Sequence, residues 1–208
     1  NPAAGKSSAI VKSGLRFPFS DDTGNIIQGI GGTRNCDWFF TSEGILIDTA
    51  GRYSVHEEDR GEWLGFLDLL RKHRPRAPIN GIVIAVSVAE ISSQRPELNI
   101  QLAKQLRHRM QELTERLEVV APVYVMFTKA DLISGFAEFF EDRERSERER
   151  VWGATLPYDA EGRADALTLF ERHFDELYEG LKAASVARMS LHRGEKLPPG
   201  VLTFPLEF

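Results

Sequence analysis

The sequence predicts an α/β domain, a mostly parallel sheet flanked by helices with a helical extension at its C-terminal end. Three observations carry this expectation. Short β-rich runs alternate with longer segments of helical period, the order that builds parallel strands joined by crossover helices. Two of those runs, Gly81-Ile-Val-Ile-Ala-Val-Ser87 and Pro122-Val-Tyr-Val-Met-Phe-Thr128, are apolar nearly throughout, as strands buried on both faces are. Beyond residue 157 the strongest pattern left is helical. The expected division is therefore a core over 1–157 and a helical extension over 158–208.

Each element has a local reason. Gly5-Lys-Ser-Ser-Ala-Ile-Val-Lys12 opens a helix ending near Gly14, and a loop rich in glycine follows through Gly24, Gly29, Gly31 and Gly32. Cys36-Asp-Trp-Phe-Phe-Thr41 and Gly44-Ile-Leu-Ile-Asp48 read as strands joined by a turn at Ser42-Glu43-Gly44. Trp63, Phe66, Leu67 and Leu70 fall on one helical stripe, closed by Pro75 and Pro78. Leu102, Leu106, Met110, Leu113 and Leu117 mark a long amphipathic helix. Phe136, Phe139 and Phe140 form an aromatic patch ahead of the mixed-charge run 141–150, which reads as a solvated helix or loop. Leu167, Phe170, Phe174, Leu177 and Leu181 mark a final amphipathic helix, and 202–208 is an apolar run without a stop signal.

Composition excludes several functions. The 208 residues carry 26 basic and 31 acidic side chains, a net charge of -5, with no basic block standing free of Asp and Glu. Nucleic acid is not an expected partner. The lone Cys36 forms no intramolecular disulfide, and it reads as a small half-buried side chain near a strand. No apolar run approaches the ~20 residues of a membrane helix. Any membrane attachment is expected through segments outside this chain.

Three motifs carry chemistry. Asn1-Pro-Ala-Ala-Gly-Lys-Ser-Ser8 matches a phosphate-binding loop lacking only its leading glycine. In such a loop the backbone of Ala3, Ala4, Gly5, Lys6, Ser7 and Ser8 curls around phosphate oxygens, the Lys6 ammonium reaches the terminal phosphates, and the Ser7 hydroxyl holds Mg²⁺. Ile45-Leu-Ile-Asp48-Thr-Ala-Gly51 ends an apolar strand in Asp-x-x-Gly. Asp48 is placed to hold Mg²⁺ through water, and Gly51 lets its N–H approach a γ-phosphate. After the strand ending at Thr128 comes Thr128-Lys-Ala-Asp131, which resembles the Asn-Lys-x-Asp guanine motif: Asp131 accepts from the base edge and the Lys129 stem lies over the ring. In this order the motifs predict a P-loop NTPase of small-GTPase-like build, with its first strand lying before Asn1.

A switch residue is expected between Ser7 and Asp48. Thr33, just ahead of a strand, is the first candidate for completing the Mg²⁺ and γ-phosphate shell, and Thr23 is the alternative. The position after Asp-x-x-Gly, where small GTPases often place a water-orienting Gln, is Arg52. Hydrolysis is therefore expected to be slow. Arg52 or Arg34 could serve as a charge stabiliser or make a structural ion pair, and spacing does not choose a base among Asp37, Glu43 and Glu57. Asp131 leans towards GTP, while Thr128 stands where an Asn normally ties this loop to the phosphate loop. Gly153-Ala154-Thr155 is a weak match for the segment that supports the base from its other side.

Longer stretches carry a resemblance. Gly32-Thr-Arg-Asn-Cys-Asp-Trp-Phe-Phe-Thr41, Ile47-Asp-Thr-Ala-Gly-Arg-Tyr53, Trp63-Leu-Gly-Phe-Leu-Asp-Leu-Leu70, Arg74-Pro-Arg-Ala-Pro-Ile-Asn-Gly81, Phe127-Thr-Lys-Ala-Asp-Leu-Ile-Ser-Gly-Phe136 and Arg150-Val-Trp-Gly153 resemble the IcmF/TssM family of type VI secretion inner-membrane proteins. The likeness runs over 1–157, and Phe204-Pro205 also fits. It implies a domain on the cytoplasmic face of the bacterial inner membrane. It also implies partners among other secretion components, a smaller inner-membrane protein and baseplate proteins. Family members are commonly described as binding or hydrolysing ATP, so the resemblance leaves GTP and ATP both open. The expected function is a nucleotide-controlled switch or slow NTPase. The rivals are a scaffold that lost nucleotide dependence and a freestanding regulatory GTPase.

Overall fold

The computed structural model describes residues 4–18, 36–54, 58–148, 150–158, 165–194 and 196–208. They form two compact units, 1–129 and 130–208. No helix among the described residues is long and apolar enough to cross a membrane.

In the first unit, helix α1 (Lys6–Val11) is followed by strands β1 (Cys36–Phe40) and β2 (Ile45–Thr49). The two strands pair antiparallel, with Trp38 opposite Ile47 and Asp37 opposite Asp48. Thr41 builds the turn between them. Its hydroxyl accepts from the N–H groups of Glu43 and Gly44 and donates to the Gly44 carbonyl at 2.9 Å, the local bonding that suits Thr to turns. A 3₁₀ turn (Gly51–Ser54) leads on to helix α2 (Arg60–His73), strand β3 (Ile82–Ser87), helix α3 (Val88–Ser93), helix α4 (Pro96–Leu117) and strand β4 (Val123–Thr128). Helix α4 opens with Pro96, whose missing N–H costs nothing at a first helical position. It ends at Glu118 in the left-handed conformation.

The apolar stripes of α2 and α4 meet. Trp63, Leu67 and Leu70 pack with Leu113 and Leu117, and Ala50 and Tyr53 close the cluster from the segment after β2. Above it the buried Glu112 carboxylate takes Arg60 Nε at 2.6 Å and Arg109 Nη1 at 2.8 Å. Burial alone pushes this carboxyl upward. The hydrogen bonds and charges of Arg109 and Arg60 outweigh that and hold it below its ordinary value.

The second unit contains a 3₁₀ turn (Ala130–Leu132) and helices α5 (Phe136–Phe140), α6 (Arg145–Arg148), α7 (Ala166–Leu191) and α8 (Gly200–Glu207). Its core is aromatic: Phe139 and Phe204 are fully buried with ring centroids 5.0 Å apart, and Phe136 meets Phe204 edge-on at 5.5 Å. Asp165 caps α7, accepting from the Leu167 N–H at 3.1 Å. Helix α5 and the start of α8 touch at two glycines. Gly135 has φ +79°, and a Cβ there would lie 2.8 Å from the Gly200 backbone.

Helix α8 contains Pro205, which cannot donate the bond that the Val201 carbonyl would receive in a regular helix. The buried Ser185 hydroxyl of α7 donates to that carbonyl instead, at 2.7 Å. A tertiary contact thus satisfies the acceptor that the local sequence leaves open.

The expected fold class needs correction. A mostly parallel sheet of a small-GTPase-like P-loop NTPase is not what the described residues form. They make two separate two-stranded sheets, the antiparallel β1–β2 hairpin and the parallel β3–β4 pair, with helices around them. Ile82 through Ser87 run in register with Val123 through Thr128. Ladder bonding ends at one partner for every described strand. The reading of β4 as a doubly buried strand falls with it, because Val123, Tyr124, Val125 and Phe127 are all exposed. Apolar composition marks a segment as strand, whereas burial of both faces requires neighbours that a two-stranded sheet does not supply.

Candidate functional site

The first turn of α1 is entered through Gly5, whose φ of +76° lies in the left-handed region. A Cβ at Gly5 would meet Thr128 only at ordinary contact distance, so conformation rather than space calls for glycine here. The N–H groups of a first helical turn have no intrahelical acceptors and face outward along the axis. Ala4 is buried, Gly5, Lys6 and Ser7 are half-buried, and Ser8 is exposed.

Two long-range contacts anchor this loop. The Ser7 hydroxyl donates a hydrogen bond to Asp48 Oδ2, and Lys6 Nζ lies 4.0 Å from Asp48 Oδ1. Asp48 is buried near the end of β2. On the other side, the Thr128 hydroxyl donates to the Ala4 carbonyl at 2.7 Å. Thr128 Oγ1 also lies 3.3 Å from the Val86 carbonyl. A hydroxyl has one proton to give, so the shorter contact is the bond. The chain thus brings Ala4, Gly5, Lys6, Ser7, Asp48 and Thr128 together.

The remaining candidates are placed as follows. Gly51 opens the 3₁₀ turn just after β2. Arg52 is within that turn, and its side chain lies outside the described parts of the structure. Ala3, Thr33, Thr23, Arg34 and Glu57 also lie outside the described residues. Lys129 follows Thr128 with φ +59°, a conformation uncommon for a side chain of its size. Asp131 is exposed in the 3₁₀ turn that opens the second unit. In that unit, Gly153, Ala154 and Thr155 are exposed.

Of the residues considered as a base, Asp37 stands directly across the hairpin from Asp48. Glu43 is exposed in the turn at the other end of β2, and at ~3.3 Å per residue this is roughly 15 Å from Asp48. A side-chain hydrogen bond with Ser42 is the main reason its carboxyl is held below the ordinary range, which makes it a poorer proton acceptor.

A hard divalent cation favours oxygen donors and accepts one protein carboxylate when phosphates and water complete its shell. The Ser7 hydroxyl beside the Asp48 carboxylate fits that demand. Among the described residues no group of three or more His, Cys, Asp and Glu forms a metal cage. One further polar group at this end of the strands belongs to none of the three motifs. Ser87 closes β3 opposite Thr128, and its hydroxyl is buried without a hydrogen-bond partner among the described residues. Its only signal in the sequence is a serine ending an otherwise apolar strand.

The family model described as IcmF-related N-terminal domain matches residues 56–208. The chain is also similar to "Type VI secretion system component TssM1" of Pseudomonas aeruginosa, with 42% identity over the whole of this chain. That match takes in 19% of the relative's length, so the chain spans about a fifth of it. No solved structure matches. On the family model, with the match over the whole of this chain beside it, the chain belongs to the IcmF/TssM family of type VI secretion proteins.

Proposed function

We propose that this chain binds a nucleoside triphosphate with Mg²⁺ and acts as a switch within a type VI secretion membrane complex, with slow hydrolysis resetting it. The observation that carries the reading is the meeting of Ser7 and Asp48, 41 residues apart, with the Lys6 ammonium beside the same carboxylate. A scaffold has no need to bring a hydroxyl, a buried carboxylate and a lysine to one loop. A phosphate-and-magnesium site needs all three. Ser7 and Asp48 would hold the cation, with Thr33 as the candidate third group. Lys6 would meet the terminal phosphates, and the backbone from Ala3 to Ser8 and at Gly51 would cradle them. Thr128 and Lys129 would lie towards the base, and the Asp131 carboxylate would be the group that favours GTP over ATP. Arg52 would contribute charge during hydrolysis.

The relative's description as a type VI secretion system component supports partners within that machine. A smaller inner-membrane protein and baseplate proteins as those partners, and a position on the cytoplasmic face of the inner membrane, belong to the proposal and rest on the family resemblance alone.

The test is calorimetric titration of the intact protein with magnesium and imidodiphosphate analogues of GTP and ATP. Micromolar binding of one analogue, lost in Lys6→Ala with the melting temperature little changed, is the expected result. Asp131→Asn should then weaken the guanine analogue far more than the adenine one. If neither analogue binds the parent, the chain is a nucleotide-independent scaffold and the switch reading is wrong.

A further inference from the structure

Ser87 is 2% exposed, and its hydroxyl has no hydrogen-bond partner among the described residues. It occupies the N-cap position of α3, where serine ordinarily accepts a bond from the first turn, yet it makes no such bond. An unsatisfied buried hydroxyl is costly and uncommon, so its retention calls for a use. Its surroundings indicate which. Ser87 is the register partner of Thr128 in the parallel pair, and register partners point to the same sheet face. Thr128 uses that face to hold the Ala4 carbonyl at 2.7 Å, and its hydroxyl reaches within 3.3 Å of the carbonyl preceding Ser87. The two hydroxyls therefore end adjacent strands on the same sheet face, Thr128 bonded to the loop and Ser87 without a partner among the described residues.

We propose that Ser87 is a positioning residue for this loop, its hydroxyl bonding a backbone group of Ala4, Gly5 or Lys6 when a nucleotide's phosphates draw the loop onto the ends of β3 and β4. The proposal rests on the nucleotide reading above and deepens it. Ser87 touches neither phosphate nor cation. It adds to affinity through the loop, and it lends the loop a hydrogen bond only in the arrangement that holds phosphate.

The intact protein, Ser87→Ala and Ser87→Thr are compared by calorimetry with magnesium and the imidodiphosphate analogue the parent binds, and by thermal melting without nucleotide. Ser87→Ala is expected to melt at or above the parent, because an unsatisfied polar group is gone, and to bind about ten-fold more weakly. Ser87→Thr, which keeps the hydroxyl, is expected to bind within about two-fold of the parent. A lower melting temperature with unchanged affinity in Ser87→Ala would make the residue an ordinary helix cap and overturn the proposal. Equal weakening in both variants would trace the effect to shape rather than to the hydroxyl, and would overturn it as well. In each of those results the parent still binds, so the nucleotide reading stands. Failure of the parent to bind removes both.

Discussion

The Thr128 hydroxyl donates to the Ala4 carbonyl at 2.7 Å, tying together residues 124 positions apart. Thr128 stands where the guanine motif that this segment resembles commonly carries Asn, and under the proposed function it would link a base end to a phosphate loop. A threonine at the end of β4 is short, but its strand delivers it close enough for one hydroxyl to do the tying. Thr128→Val keeps the shape and removes the proton donor, leaving a buried carbonyl unpaired. The expected cost is ~1–2 kcal/mol of stability and about ten-fold in nucleotide affinity, with Thr128→Ser close to the parent. Denaturant melts and calorimetry on the three proteins check this, and unchanged affinity in Thr128→Val would remove the link from the binding account.

Glu112 sets an acid limit on the packing of α2 against α4. Its carboxyl is held below the ordinary value of 4.5 in the folded chain by Arg109 and Arg60, despite the opposing effect of burial. A folded value below the unfolded one gives stability that is full above the unfolded value and is lost as pH falls through the folded value. The melting temperature of the parent should therefore drop more steeply from about pH 6 to about pH 3 than that of Glu112→Gln. At neutral pH the variant should be less stable by ~1–3 kcal/mol, the usual worth of a charge-assisted bond. Parallel pH profiles would show that the Glu112 cluster contributes nothing to the transition.

Ser185 should matter more than a serine inside a helix usually does. Its hydroxyl serves the Val201 carbonyl that Pro205 leaves without a donor. Ser185→Ala is expected to cost ~1–3 kcal/mol, whereas combining it with Pro205→Ala should recover part of that loss, because residue 205 regains its N–H. Chemical denaturation of the single and double variants measures the coupling, and strict additivity would reject the compensation.

Gly135 cannot take a side chain cheaply. Its φ of +79° and a Cβ position 2.8 Å from the Gly200 backbone work against any substitution. Gly135→Ala should destabilise the second unit by more than ~2 kcal/mol, since backbone strain and a clash with main chain add. Denaturant unfolding followed through the Trp152 fluorescence reads it, and a loss under ~0.5 kcal/mol would mean that the α5–α8 approach yields readily.

By itself the sequence determined most of the local elements, the spacing of the three motif patterns and the family. Helical stripes such as Trp63, Leu67 and Leu70, the Thr41 turn, and the Gly-Lys-Ser and Asp-x-x-Gly spacings are short-range patterns, and short-range patterns survive without any tertiary context. Only the tertiary structure decided which strands pair. An apolar run such as that of β4 looks the same whether it has two neighbours or one, because ladder bonds are made by backbone groups common to every residue. The same reason hid α8, whose Pro205 argues against a helix until Ser185 is brought to the Val201 carbonyl. It also hid the unequal fates of two hydroxyls on adjacent strand ends, Thr128 bonded to Ala4 and Ser87 buried without a partner among the described residues, since a hydroxyl's partner is chosen by what the fold sets beside it.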